Sequence, residues 1–328
     1  MIKAYRLFKV LYLLVFFFSC VSSEIEFVMG NINYRECTRE FVVSLSNYAR
    51  SYNPQFIVIP QNGVEIITEN GESDGPLSTE YVNAISGIGQ EDLFYGYNDD
   101  NEPTPNASKN YILGFLNTAK SHDLEILVID YCSSTSYVDE SYNQSNIRNY
   151  ISFAADSREL DSIPSYPTPI FGNNNSSVIN LSDAANFLYL INADAYNNKT
   201  DFLNAIIPTN YDLIIVDLFF HGDIILSSGE VASLKTKPGG DDRLVIAYMS
   251  IGEAEDYRYY WKNIWNFRPP SWLGDENPNW EGNYKVHYWE PEWQQIIYGN
   301  DDSYLKKIID AGFDGVYLDI IDAFEYFE

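Results

Sequence analysis

Gly312-Phe313-Asp314-Gly315-Val316-Tyr317-Leu318-Asp319-Ile320-Ile321-Asp322 reads as a buried β-strand that ends in carboxylates. The apolar run Val316–Leu318 is bounded by a glycine before it and acids after it, as in a strand of a parallel sheet. Such a strand is normally followed by a helix that covers it, yet only nine residues follow Asp319. At the other end, Arg39–Arg50 (REFVVSLSNYAR) has the apolar spacing of an amphipathic helix, with no strand before it. The two ends read as one interrupted strand–helix repeat, which points to a circularly permuted α/β barrel.

Between these ends, short β-rich apolar runs alternate with helical patterns. The strands expected in chain order are Phe56–Pro60, Gly87–Phe94, Ile126–Tyr131 and Ile163–Tyr166, then Phe187–Asn192, Leu213–Phe219, Leu244–Ser250 and Gly315–Asp319. Helices are expected over Ser78–Ser86, Ser108–Ser121, Asn146–Leu160, Lys199–Ile207 and Tyr304–Ala311. Eight strands are what a closed parallel (β/α)8 TIM barrel requires, and 328 residues suffice for one. Pro167–Val178 (PTPIFGNNNSSV) is the clear linker. It divides the chain into residues 24–166 and 179–328, with four expected strands each. Two separate domains would leave open sheet edges on both halves, and closure into one barrel removes them.

Residues 1–23 have the basic start and short apolar run of a secretory signal, so a secreted or extracytoplasmic location is expected. Phe18-Ser19-Cys20 also resembles a bacterial lipoprotein cleavage site, which would lipidate Cys20 and anchor the protein at the cell surface. Cleavage near Ser22 or Ser23 is the equal alternative. Cys37 and Cys132 then remain, too few for a disulfide scaffold, and a single bridge between them stays open. The formal net charge is −27, which repels nucleic acid and anionic membranes and attracts cationic ligands such as amino sugars. No phosphate loop, dinucleotide fingerprint, twelve-residue Ca2+ loop or His/Cys cluster appears, so neither a cofactor nor a metal is expected.

In a parallel barrel the chemistry sits at the carboxyl ends of the strands. Those ends deliver Asn62, Glu91, Tyr95, Asp130, Tyr131, Asp217, Glu253 and Asp319. Acids, amides and aromatics together compose a sugar cleft. Rings stack on pyranose faces, amides and acids bind hydroxyls, and a pair of carboxyls divides the acid/base and nucleophile work.

Ile246-Ala247-Tyr248-Met249-Ser250-Ile251-Gly252-Glu253-Ala254-Glu255-Asp256-Tyr257-Arg258 resembles the signature of the endo-α-1,4-polygalactosaminidases, glycoside hydrolase family 114. Tyr288–Gln294 (YWEPEWQ) and Gly312–Asp322 are similar to the segments that follow it. Phe56–Gly63 and Gly87–Tyr97 (GIGQEDLFYGY) are similar to the family's second half. The order departs from the family pattern: residues 179–328 would form family strands one to four, and residues 24–166 strands five to eight. The resemblance implies an acid pair matching Asp319 and Glu91, acting on an α-linked galactosamine-type polysaccharide; a retaining mechanism with Asp319 as nucleophile and Glu91 as general acid/base is the expectation. Asp217, Glu253, Asp130, Tyr131, Tyr95, Tyr317, Trp289 and Asn62 are expected at the sugar. Arg258 is expected to pair with Glu255 or Asp256. The competing expectation is a carbohydrate-binding barrel with little or no turnover. Either a monomer or a domain-swapped dimer would complete the barrel.

Overall fold

The computed structural model describes residues 32–328, so the expected signal segment 1–23 and Cys20 lie outside the described residues. Residues 33–328 form one compact unit. Its frame is eight strands: β1 Ile57–Pro60, β2 Gly87–Glu91, β3 Glu125–Tyr131, β4 Ile151–Ala155, β5 Phe187–Tyr189, β6 Leu213–Asp217, β7 Leu244–Ser250 and β8 Gly315–Asp319. They pair parallel in two sheets, ordered β5-β6-β7-β8-β1 and β2-β3-β4. A parallel bridge between Gln61 and Gly89 joins β1 to β2. Where β4 meets β5, the Phe153 and Phe187 rings lie 5.7 Å apart, and the Asn192 N–H donates to the Leu160 carbonyl at 3.2 Å. Because β1 pairs with β8, the two halves of the chain share one sheet and are not separate domains.

The helices are α1 Tyr34–Tyr52, α2 Thr79–Ala84, α3 Asn106–Lys120, α4 Thr135–Asn146, α5 Lys199–Ile206, α6 Ser228–Leu234, α7 Pro291–Ile297 and α8 Tyr304–Ala311. The orphan helix of the sequence is α1, started by Asn33, whose side-chain oxygen accepts the Glu36 N–H at 3.1 Å. It buries Phe41, Val42, Leu45 and Ala49. On one side the Ser46 hydroxyl donates to the Ala84 carbonyl of α2 (2.6 Å), and on the other Phe41 lies 6.0 Å from Tyr298, between α7 and α8. That slot, between the helices preceding β2 and β8, is where a helix following β8 belongs. The first turn of α1 also grips the last residues: Arg35 binds Glu328 with two bonds of 2.8 and 2.9 Å, and Tyr34 lies 5.5 Å from Phe327.

One strand was misplaced by the sequence reading. Ile163–Tyr166 forms no strand, and β4 lies at Ile151–Ala155, inside the stretch read as the helix Asn146–Leu160. Asn149, in the left-handed region at φ 56°, turns the chain out of α4 and into β4. A five-residue apolar run has too little periodicity to separate strand from helix. The expected linker is also no loose tether. Asn174 donates to the Asp212 carboxylate (2.9 Å), Lys237 donates to the Ser176 carbonyl (2.8 Å), and the Val178 N–H donates to the Asp242 carbonyl (2.9 Å). These bonds fasten the segment to the amino ends of β6 and β7. Cys37 and Cys132 are both free thiols, so no bridge joins them.

Candidate active site

Alternate residues of a strand face opposite sides, and in-register residues of parallel neighbours face the same side. Tyr317 pairs with Tyr248 and with Ile59, and Asp217 also pairs with Tyr248. Gly89 faces them from β2: a Cβ there would lie 1.9 Å from the Tyr317 hydroxyl oxygen. This is why β2 carries glycine at that point. Two residues further on, Glu91 and Asp319 therefore face the same interior, at the carboxyl ends of β2 and β8. Tyr131, two residues beyond Ile129, joins them from β3. These side chains line a cavity of about 520 Å³ together with Asn62, Asp217, Glu253 and Asp322.

The Tyr248 hydroxyl donates to Asp319 Oδ2 (2.6 Å), and the Ile320 N–H donates to Oδ1 (2.8 Å). No cation pairs with Asp319 among the described residues. Burial, reinforced by the negative charge of Glu91, pushes its carboxyl up to about 7. The Tyr131 hydroxyl donates to Glu91 Oε1, and Asn62 Nδ2 donates to Oε2 (3.2 Å). Asp322 is likewise raised to about 7, first by burial and then by Glu325. Ile320, the residue after Asp319, has φ 58°, and Gly252 of the signature stretch leaves room for its carbonyl, which would lie 2.2 Å from a Cβ there.

Beside this group sits a second cluster of acids, built around one cation. Arg258 binds Asp217 (2.7 Å) and Glu255, so its partner beyond Glu255 is Asp217 rather than Asp256. Burial raises the Asp217 carboxyl, and the guanidinium opposes the shift. Glu253 is fully buried, its Oε1 held by Asn277 (2.9 Å) and the Tyr326 hydroxyl (3.1 Å). Burial raises its carboxyl too.

Four residues expected at the sugar are not in the cavity wall. Asp130 precedes Tyr131 on β3, so it must face away from it. It is buried against α4, accepting the Ser141 hydroxyl (2.6 Å) and the N–H groups of Phe94 and Tyr95. Tyr95 is buried and stacks on Tyr137 at 4.7 Å. Tyr317 lies wholly buried 5.2 Å from Tyr189, beneath the cavity. Trp289 packs between Tyr34 (5.0 Å) and Phe327 (4.9 Å), at the first turn of α1. Asp92, next to Glu91, pairs with Arg158 at 2.9 Å, and burial still lifts its carboxyl to about 7.

Tyr248, Arg158, His221 and Trp280, none of them assigned to the sugar from the sequence, also line the cavity. Trp280 is 48% exposed. Its setting in the polar turn Asn277-Pro278-Asn279-Trp280-Glu281-Gly282 was the available signal, since a turn cannot bury an indole in a core. Among the described residues, no three of His, Cys, Asp and Glu are gathered as a metal site, and no helix is long and apolar enough to cross a membrane.

A family model, glycoside-hydrolase family GH114, matches residues 169–328, which hold β5–β8 and Asp319. Similar curated proteins, all uncharacterized, come from Methanocaldococcus jannaschii (46% identical, covering 47% of this chain and 42% of that one), Thermotoga maritima (44%, 36% and 35%) and Deinococcus radiodurans (40%, 38% and 37%). The chain thus spans about two-fifths of the length of these relatives. Residues 169–328, just under half of the chain, are thus similar to glycoside-hydrolase family GH114.

Proposed function

We propose that the protein is a secreted hydrolase of α-linked, galactosamine-type polysaccharides, working through Asp319 and Glu91 inside a closed, circularly permuted (β/α)8 barrel. The observation that carries this reading is that both carboxyls, from distant parts of the chain, line one cavity and neither is paired with a cation. The strand order, the Gln61–Gly89 bridge and the seat of α1 support closure and permutation.

In a retaining reaction Asp319, ionised, attacks the anomeric carbon while Glu91 gives its proton to the departing glycosidic oxygen. Glu91 then takes a proton from water, which attacks the same carbon and frees Asp319. A cationic chain suits the lining. Eight of its residues are acidic and two are arginines, and both arginines are already bound to acids. An ammonium group near Asp319 would favour the ionised form that attack requires. The exposed Trp280 supplies a stacking face at the rim.

The test is incubation of purified protein with α-1,4-linked galactosamine oligosaccharides and their fully N-acetylated counterparts, following new reducing ends. Cleavage of the free-amine chains is expected. Binding without any cleavage would leave a carbohydrate-binding barrel instead.

A further inference from the structure

We propose that Asn62 is a positioning residue for Glu91, forming with Tyr131 a two-sided clamp on that side chain; this rests on the reading of Glu91 as the acid/base. Asn62 follows β1 and spans the join to β2, where the ladder has a single bridge. Its backbone N–H donates to the Gly89 carbonyl (2.9 Å). Its side-chain oxygen accepts both the Glu91 N–H (3.1 Å) and Gln90 Nε2 (3.2 Å), and its Nδ2 donates to Glu91 Oε2 (3.2 Å). One amide thus fixes the backbone and the carboxylate of the same residue. From the other flank, the Tyr131 hydroxyl of β3 holds Oε1.

The backbone supports this assignment. Asn62 has φ 60°, a left-handed conformation that a residue with a side chain adopts at a cost and retains only when its surroundings fix it. Asparagine tolerates that region better than most residues, and its amide offers the acceptor and donor used here. A sugar-binding asparagine would keep its acceptor free, whereas here two donors already occupy it. Asn62 therefore reaches the substrate through Glu91. Placing a proton donor against a glycosidic oxygen is sensitive to shifts of about 1 Å, which can lower a rate on the order of 10²-fold.

The experiment compares wild type with Asn62→Gly, Asn62→Asp, Tyr131→Phe and Glu91→Gln. Glycine suits the left-handed backbone, so Asn62→Gly removes the amide without adding strain. Its crystal structure is expected to show the Glu91 carboxyl displaced from its wild-type place. On a galactosamine oligosaccharide, kcat should fall about 10–100-fold with KM within about threefold. Asn62→Asp keeps the acceptor but sets a second carboxylate against Glu91. It should displace the Glu91 carboxyl by like-charge repulsion and lower kcat as Asn62→Gly does. Tyr131→Phe should lower kcat in the same sense as Asn62→Gly. A raised KM with unchanged kcat would overturn the proposal in favour of direct sugar contact. So would a lowered melting temperature with Glu91 unmoved. If Glu91→Gln cleaves like wild type, the acid/base assignment fails by itself, and the crystal structure of Asn62→Gly still decides whether the clamp exists.

Discussion

Asp212 and Asp319 stand at opposite ends of the same parallel sheet, and their surroundings differ in kind. Asp212, just before β6, is fully buried. It takes the Lys237 ammonium, the Asn174 amide (2.9 Å) and the Ala185 N–H (2.7 Å). Asp319, at the end of β8, receives one hydroxyl and one N–H and faces Glu91, with no cation. The first carboxylate is neutralised and serves the fold. The second is left under-compensated at the end of the sheet where parallel barrels do chemistry. An acid in such a strand is informative only once its end of the sheet and its partners are known.

The contrast breaks most visibly if the two ends are exchanged in experiment. Asp319→Asn and Glu91→Gln should each reduce cleavage by about 10²–10⁴-fold with the far-ultraviolet circular dichroism unchanged. Lys237→Met should leave activity per folded molecule intact and destabilise the protein by about 3–5 kcal/mol in urea unfolding, because Asp212 is left buried without its cation. A loss of catalysis in that variant at full stability would erase the distinction.

Acidity sharpens the comparison. Asp319 is raised to about 7, above the value of about 4 it would have unfolded. The folded protein therefore holds this proton more tightly than the unfolded chain. The resulting stabilisation is complete below about pH 4 and is lost as pH rises through 7. Asp319→Asn should accordingly raise the melting temperature at pH 8 and change it less at pH 4. The smallest effect belongs beneath the cavity. Tyr317→Phe removes a buried hydroxyl that has no partner, and should be neutral or stabilising by up to about 1 kcal/mol in urea unfolding.

Much of this frame was legible in the sequence because its strands are continuous apolar runs. Leu244–Ser250, Gly315–Asp319 and Tyr304–Ala311 fall where expected. β4 was not, since Ile-Ser-Phe-Ala-Ala is short and weakly patterned, and α4, whose face is mostly polar, left little period to read. In the site, Asp319, Glu91, Asp217, Glu253, Asn62 and Tyr131 do line one cavity. Asp130 could have been rejected from sequence, because strand alternation forbids it and Tyr131 from facing the same side. Trp289 could not, since its pocket is made by Tyr34 and Phe327 from the two ends of the chain.

The most direct test of the two-carboxylate account is to trap the covalent intermediate. Glu91→Gln would be incubated with a galactosamine donor bearing a good leaving group, which needs no acid for departure, and the digested protein analysed by mass spectrometry. The account predicts a single added galactosaminyl unit on the peptide containing Asp319. An adduct on another carboxylate, or undiminished cleavage by Asp319→Asn, would contradict it.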